Sequence, residues 1–358
     1  MKYHDFILNI FSLQSDNKSN RFADTFENNQ YFRKNFSCRI LNLYNLYKST
    51  NFEKPILNKL KELTNPKNWQ GAYAELLAYD ILNSDNWGLI EIDKKIDDEN
   101  FTFAHEYGKK LADLDGYFSD LEVYFDVKSL QDNKFLDKVI KDAKKNSKNK
   151  CSILAQYDID DDFDEYNNKF ADLVDELTNA LDNKLVKFDS NIIPNLSYNI
   201  HYENGTNSSL NSYNPYRNAE NFTDTFLKRY SCKFVKDRPF FLIIVNSWLY
   251  NSINNNCFDG NKIFYRSLSR RLFMQYRHSD KKMKEIFNEF KGEQTVFEVS
   301  KKLSGIIFID DLPINNDDIK CYIYINPNAD NKCPLFVDNH LYDLQCKKEI
   351  DNFIFDNY

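Results

Sequence analysis

From residue 113 to 129 the chain reads DLDGYFSDLEVYFDVKS, with acids at positions where a hairpin would normally carry apolar residues. Side chains two apart share one face of a strand. Val123, Phe125 and Val127 therefore point one way, with Leu114 and Phe118 as partners, and Tyr124, Asp126 and Lys128 point the other. If residues 119–122 form a four-residue loop, Phe118 pairs with Val123 and Asp115 lies opposite Asp126. A two-residue loop would put Asp113 there instead. Either register sets two carboxylates side by side, which destabilises a ladder unless something neutralises them. A divalent cation removes that penalty, because Mg²⁺ takes one or two protein carboxylates and keeps several waters. Lys128 on the same face would orient or polarise an attacking water. The chemistry implied is metal-assisted phosphodiester hydrolysis, against the plainer alternative of a solvated hairpin face.

The elements that must position these groups are legible around them. A helix is expected to start near Asn68 and to run through NWQGAYAELLAYDILNS. On it Gly71, Ala74 and Ala78 surround Glu75 at helical spacing, and small neighbours let a helix lie close to a sheet with its carboxylate aimed inward. One strand, WGLIEID, separates that helix from the hairpin. A lysine-rich helix over 132–150 follows, with Phe135, Val139 and Ala143 along one side, and then a short strand, CSILAQY. The order helix, strand, strand, strand, helix, strand demands an α/β sheet with helices on its faces. Residues 1–65 read as an N-terminal helical region, 66–157 as the core, and 158–216 as a helical and loop insertion. Residues 217–358 read as a C-terminal α/β extension packed on the core. In that extension RPFFLIIVNSW and SGIIFIDD are apolar runs suited to buried strands, and the alternating IKCYIYINP suits a strand nearer an edge.

A helix carrying Glu, a strand, an Asp before a hairpin and Asp-x-Lys on its return strand together resemble the PD-(D/E)xK nuclease superfamily. The residues are Glu75, Asp115 and Asp126-Val127-Lys128, accompanied by GxxAExxA at 71–78, the Asp-Gly pair at 115–116 and Ser129 after the lysine. Leu114 stands where the family name has proline, and the third acid is Asp rather than the commoner Glu. The resemblance covers 66–157 and implies a restriction-endonuclease-like fold, a mixed central sheet flanked by helices. It implies a catalytic set of Glu75, Asp115, Asp126 and Lys128. Mg²⁺ or Mn²⁺ would be held by Asp115, Asp126 and the Val127 carbonyl, with Glu75 completing the site or holding a second ion. Asp113 would be a reserve ligand or would stand just behind the others. DNA is the implied substrate, in restriction or defence against invading DNA, with a homodimer or a partner protein supplying target choice. An RNA- or junction-directed nuclease and a catalytically silent binding scaffold are the alternatives.

Composition narrows the rest. The chain has 358 residues, a formal net charge of −7, 42% hydrophobic and 28% charged residues, as expected of a globular protein. A general nucleic-acid coat is excluded by that acidity, but local basic groups are present. Lys134, Lys138, Lys141 and Lys145 on the lysine-rich helix, and Arg270 and Arg271 in FYRSLSRRLFMQYRH, are candidate phosphate contacts. Seven cysteines without a CxxC pair fit reduced thiols rather than a disulfide framework or zinc site. No apolar run suits a signal peptide or a membrane span, so a cytoplasmic location is expected. DIDDDFDE from Asp158 lacks the Gly and Glu of a calcium loop, and no glycine-rich phosphate loop exists.

Overall fold

The computed structural model describes residues 20–65, 68–83, 89–103, 113–130, 135–147, 149–156, 166, 169–194, 196–202, 215–250, 260–311 and 319–332. The chain divides into two compact units, residues 1–130 with 222–358, and residues 131–221.

The first unit opens with helices α1 (Arg21–Asn28), α2 (Gln30–Tyr47), α3 (Glu53–Glu62) and α4 (Trp69–Asn83). Side-chain caps fix the first two: Asn20 accepts from the Ala23 amide, and Asn29 from the amides of Tyr31 and Phe32. Strands β1 (Ile90–Lys94), β2 (Leu114–Phe118) and β3 (Val123–Ser129) follow. The chain returns to the first unit within α7 (Pro215–Tyr230) and continues through β7 (Phe240–Ser247), α8 (Gly260–Phe273), α9 (Met283–Ile286), α10 (Val296–Ser300), β8 (Gly305–Asp311) and β9 (Ile319–Ile325). One six-stranded mixed sheet runs β1-β2-β3-β7-β8-β9; β3, β7 and β8 are parallel neighbours and the remaining pairs are antiparallel.

Helices cover both faces of this sheet. Every residue of β7 is buried, which is why its sequence is a continuous apolar run rather than an alternating one. Phe241, Ile243 and Val245 join a core with side chains of α1 to α4. On the opposite face the Tyr265 ring of α8 stacks on Phe308 at 4.1 Å. The expected strands of the C-terminal extension are all present, and β9 is an edge strand.

The second unit holds α5 (Phe135–Asn146), β4 (Ser152–Gln156), α6 (Phe170–Asp182), β5 (Lys187–Asp189) and β6 (Ser197–His201), with a three-stranded antiparallel sheet β4-β6-β5. Two expectations are corrected here. The stretch 66–157 is not one core, because α5 and β4 belong to this unit. Cys151, Ile153 and Ala155 are buried while Ser152 and Leu154 are partly open, so β4 has one apolar face and suits an exposed-sided sheet. The strand beside β3 is β7, apolar on both faces. Nor are residues 20–65 a separate region, since Phe22, Ile40, Ile56 and Leu60 share the core of α4 and the sheet. Within the helical and loop insertion Ser197–His201 is a strand, because Tyr198 and Ile200 alternate inward; the loop candidate after it, residues 203–214, lies outside the described residues.

Candidate functional site

The β2–β3 hairpin fixes the site. Phe118 pairs with Val123, Tyr117 with Tyr124 and Gly116 with Phe125. The loop is therefore residues 119–122, turned by the Leu121 amide donating to the Phe118 carbonyl and by Glu122 at φ 53°. One step further along this register Asp115 lies opposite Asp126, as the four-residue loop requires. The alternative with Asp113 there is ruled out. Gly116 is needed because the Phe125 ring lies across it: a Cβ there would stand 2.0 Å from Phe125 Cζ.

Past Gly116 the ladder opens, and the Asp115 carboxylate enters the gap, where its Oδ2 accepts the Val127 amide at 2.7 Å. The amides of Tyr124 and Leu130 donate toward β7, so Val127 faces the β2 side. In an extended strand the carbonyl of a residue points to the same edge as its amide. Val127 thus turns its backbone toward Asp115. The Asp126 side chain is 0% exposed, and among the described residues no backbone amide or hydroxyl donates to its oxygens. Its contacts are ammonium groups, Lys128 Nζ at 2.6 Å from Oδ2 and Lys233 Nζ at 3.9 Å from Oδ1. Lys128 also lies 3.8 Å from Asp115 Oδ2.

Glu75 enters from α4, which packs on β3. Its Oε2 is 2.5 Å from Lys59 Nζ, and Lys59 also reaches Asp93 Oδ1 at 3.3 Å. One turn on, the Tyr79 hydroxyl donates to the Asp115 backbone carbonyl at 2.9 Å and stands 3.4 Å from Glu75. Burial, followed by the charges of Asp126 and Glu75, pushes the Asp115 carboxyl well above the ordinary range. Burial also raises Glu75, although Lys59 opposes it. Burial pulls both lysines down, but Glu75, Asp93 and Asp115 around Lys59, and Asp126 and Asp115 around Lys128, raise each above its ordinary value. Both are firmly ammonium ions.

Glu75, Asp115, Asp126, Val127 and Lys128 are therefore brought together. Asp113 is not part of the set through its side chain, which is exposed; its carbonyl accepts from Lys233 at 2.6 Å. Lys138, Lys141 and Lys145 are exposed on α5 of the second unit, whereas every group named above belongs to the first. Lys134 lies outside the described residues. Arg270 and Arg271 close α8, whose neighbours are α10 and the far edge strand β9, so they are not among the groups around Asp126.

Three residues escaped the sequence. Lys59 lies three positions after Ile56 and beside Leu60, both buried, and a lysine on an apolar helix face was the available signal. Tyr79 shares the Glu75 face at i+4. Lys233 follows α7 and meets Asp113 across 120 positions, with no local signal.

The donor set suits a hard, oxygen-ligated cation: two carboxylates face each other and one of them is fully buried. Among the described residues no three His, Cys, Asp or Glu side chains are drawn together around a metal position, because Lys59 and Lys128 sit on the carboxylates. Cys38, Cys151, Cys232 and Cys321 are thiols. Among the described residues no helix is long and apolar enough to cross a membrane. Compared with known proteins, the chain matches no family model, no curated protein and no solved structure.

Proposed function

We propose that this chain is a divalent-metal-dependent nuclease of the PD-(D/E)xK type, with the first unit as a restriction-endonuclease-like core and DNA as its substrate. The observation that carries the reading is Asp126. A fully buried carboxylate costs several kcal/mol unless cations compensate it; Asp126 is 0% exposed, stands opposite Asp115 and is met by the Lys128 ammonium at 2.6 Å. Asp115, Asp126 and the Val127 carbonyl would hold Mg²⁺ or Mn²⁺. When bound, the ion supplies Lewis-acid stabilisation of charge on phosphate oxygens. Lys128, fixed by Asp126 at 2.6 Å, orients the attacking water and offsets developing negative charge. Tyr79 holds the Asp115 backbone in place, and Glu75 adds negative potential to the pocket. Lys233 supports the other edge of the site by gripping the Asp113 carbonyl.

Restriction or defence against invading DNA suits such an activity, and a homodimer or partner protein would supply target choice. A second reading, a silent scaffold of the same fold, is favoured by one observation: both Glu75 and Asp126 are already engaged by lysines. Incubating the full chain with duplex DNA, single-stranded DNA and RNA, with Mg²⁺ or with chelator, separates these. Mg²⁺-dependent cleavage of DNA supports the proposal, cleavage of RNA alone redirects the substrate, and no cleavage of any favours the scaffold.

A further inference from the structure

Lys59 does at Glu75 what Lys128 does at Asp126. Helix α3 packs on α4 and touches β1, which sets the Lys59 ammonium between Glu75 (2.5 Å) and Asp93 (3.3 Å). Its side chain is only 14% exposed, so it is built into the fold. Asp93 adopts φ 52° within β1, a backbone state that costs a non-glycine residue of order 1 kcal/mol or more. The β1–β2 register pairs Ile92 with Gly116 and Lys94 with Leu114, which sets Asp93 across from Asp115. Asp93, Asp115 and Asp126 therefore form one row over three strands, with Glu75 beside it.

These carboxylates form two groups. Asp115 and Asp126 face one another and meet the Lys128 ammonium at 3.8 and 2.6 Å, that lysine being 29% exposed. Glu75 and Asp93 share the more deeply buried Lys59 ammonium. With all four carboxylates ionised, the form that binds a cation, Glu75, Asp93, Asp115 and Asp126 against Lys59, Lys128 and Lys233 leave one negative charge. One divalent ion turns this into one positive charge, whereas two would leave three in an enclosed site, where uncompensated charge is costly.

We propose that Lys59 is a tethered cation occupying the place of a second divalent ion between Glu75 and Asp93, so that the chain takes one oxygen-ligated ion, at Asp115 and Asp126. The ion at Asp115 and Asp126 rests on the function proposed above, whereas the role of Lys59 is separable from it.

The test counts Mn²⁺ on the full chain by titration calorimetry and by the electron paramagnetic resonance signal of free Mn²⁺. Wild type is expected to bind one ion and Lys59→Met two, the extra ion being lost again in Lys59→Met/Asp93→Asn. Two ions on wild type, or one on folded Lys59→Met, overturn the role of Lys59 and leave the metal-dependent reading standing. No ion on wild type with one on Lys59→Met supports the role of Lys59 and refutes the proposed function. No ion on either overturns both. If Lys59→Met does not fold, Asp93→Asn decides. Its side chain is 43% exposed, and a half-exposed charge that touches no ion should change Mn²⁺ affinity by less than about threefold. Loss of the ion in Asp93→Asn would make Asp93 a ligand and overturn the inference.

Discussion

Gly116→Ala tests the packing that holds the site open. The added methyl would stand 2.0 Å from Phe125 Cζ and 2.6 Å from both Cε atoms, against about 3.5–4.0 Å for a normal carbon contact. The ring would have to move by about 1.5 Å to restore that separation. It has little room, because the Phe118 ring lies 5.2 Å and the Tyr79 ring 6.5 Å away, centroid to centroid. Overpacking of this kind costs about 1–3 kcal/mol. Displacing Tyr79 from the Asp115 carbonyl adds about 1 kcal/mol. The variant should therefore lose about 2–4 kcal/mol in urea unfolding. Phe125→Leu destabilises by itself, but in the double variant it makes room for the methyl. The double-mutant cycle should then show favourable coupling of about 1–2 kcal/mol. A Gly116→Ala protein within about 0.5 kcal/mol of wild type, or additive losses in the cycle, would refute the reasoning.

Other outcomes follow from single contacts. Tyr79→Phe removes the donor to the Asp115 carbonyl and should cost about 1–2 kcal/mol in urea unfolding. Asp310 is buried beneath Tyr265, Asn246 and Asn261, and burial raises its carboxyl to about 6 despite those hydrogen bonds. The folded state then holds a proton that the unfolded state has released between pH 4 and 6, so stability falls as pH rises through that window. A shift from 3.8 to about 6 corresponds to about 3 kcal/mol. Asp310→Asn should reduce the slope of unfolding free energy against pH between 4 and 6 by about one proton; equal slopes would contradict the assignment.

The hairpin and its acids were legible because strand alternation and loop length alone fix which side chains meet. Val123, Phe125 and Val127 advertise the buried face, and the loop of residues 119–122 brings Asp115 to Asp126. Glu75 was legible from the small residues around it. The neighbour of β3 was not, because strand pairing across a 91-residue unit leaves no local trace; only the two-sided apolarity of β7 hints at a central place. Nor was the burial of Asp126 readable, since its neighbours Tyr124 and Lys128 are partly open. The lysines that neutralise the site come from α3 and from beyond α7, brought there by tertiary packing. The lysine-rich helix drew attention through composition, but it belongs to the other unit.

The most direct test of the central claim is Mg²⁺-dependent DNA cleavage by wild type, Asp126→Asn and Lys128→Met, each checked for folding by circular dichroism. Wild type should cut with Mg²⁺ and not with chelator. Both folded variants should lose at least about a hundredfold in rate, the scale of removing one electrostatic catalytic group. Absence of cleavage in wild type, or cleavage that survives both substitutions, would contradict the account.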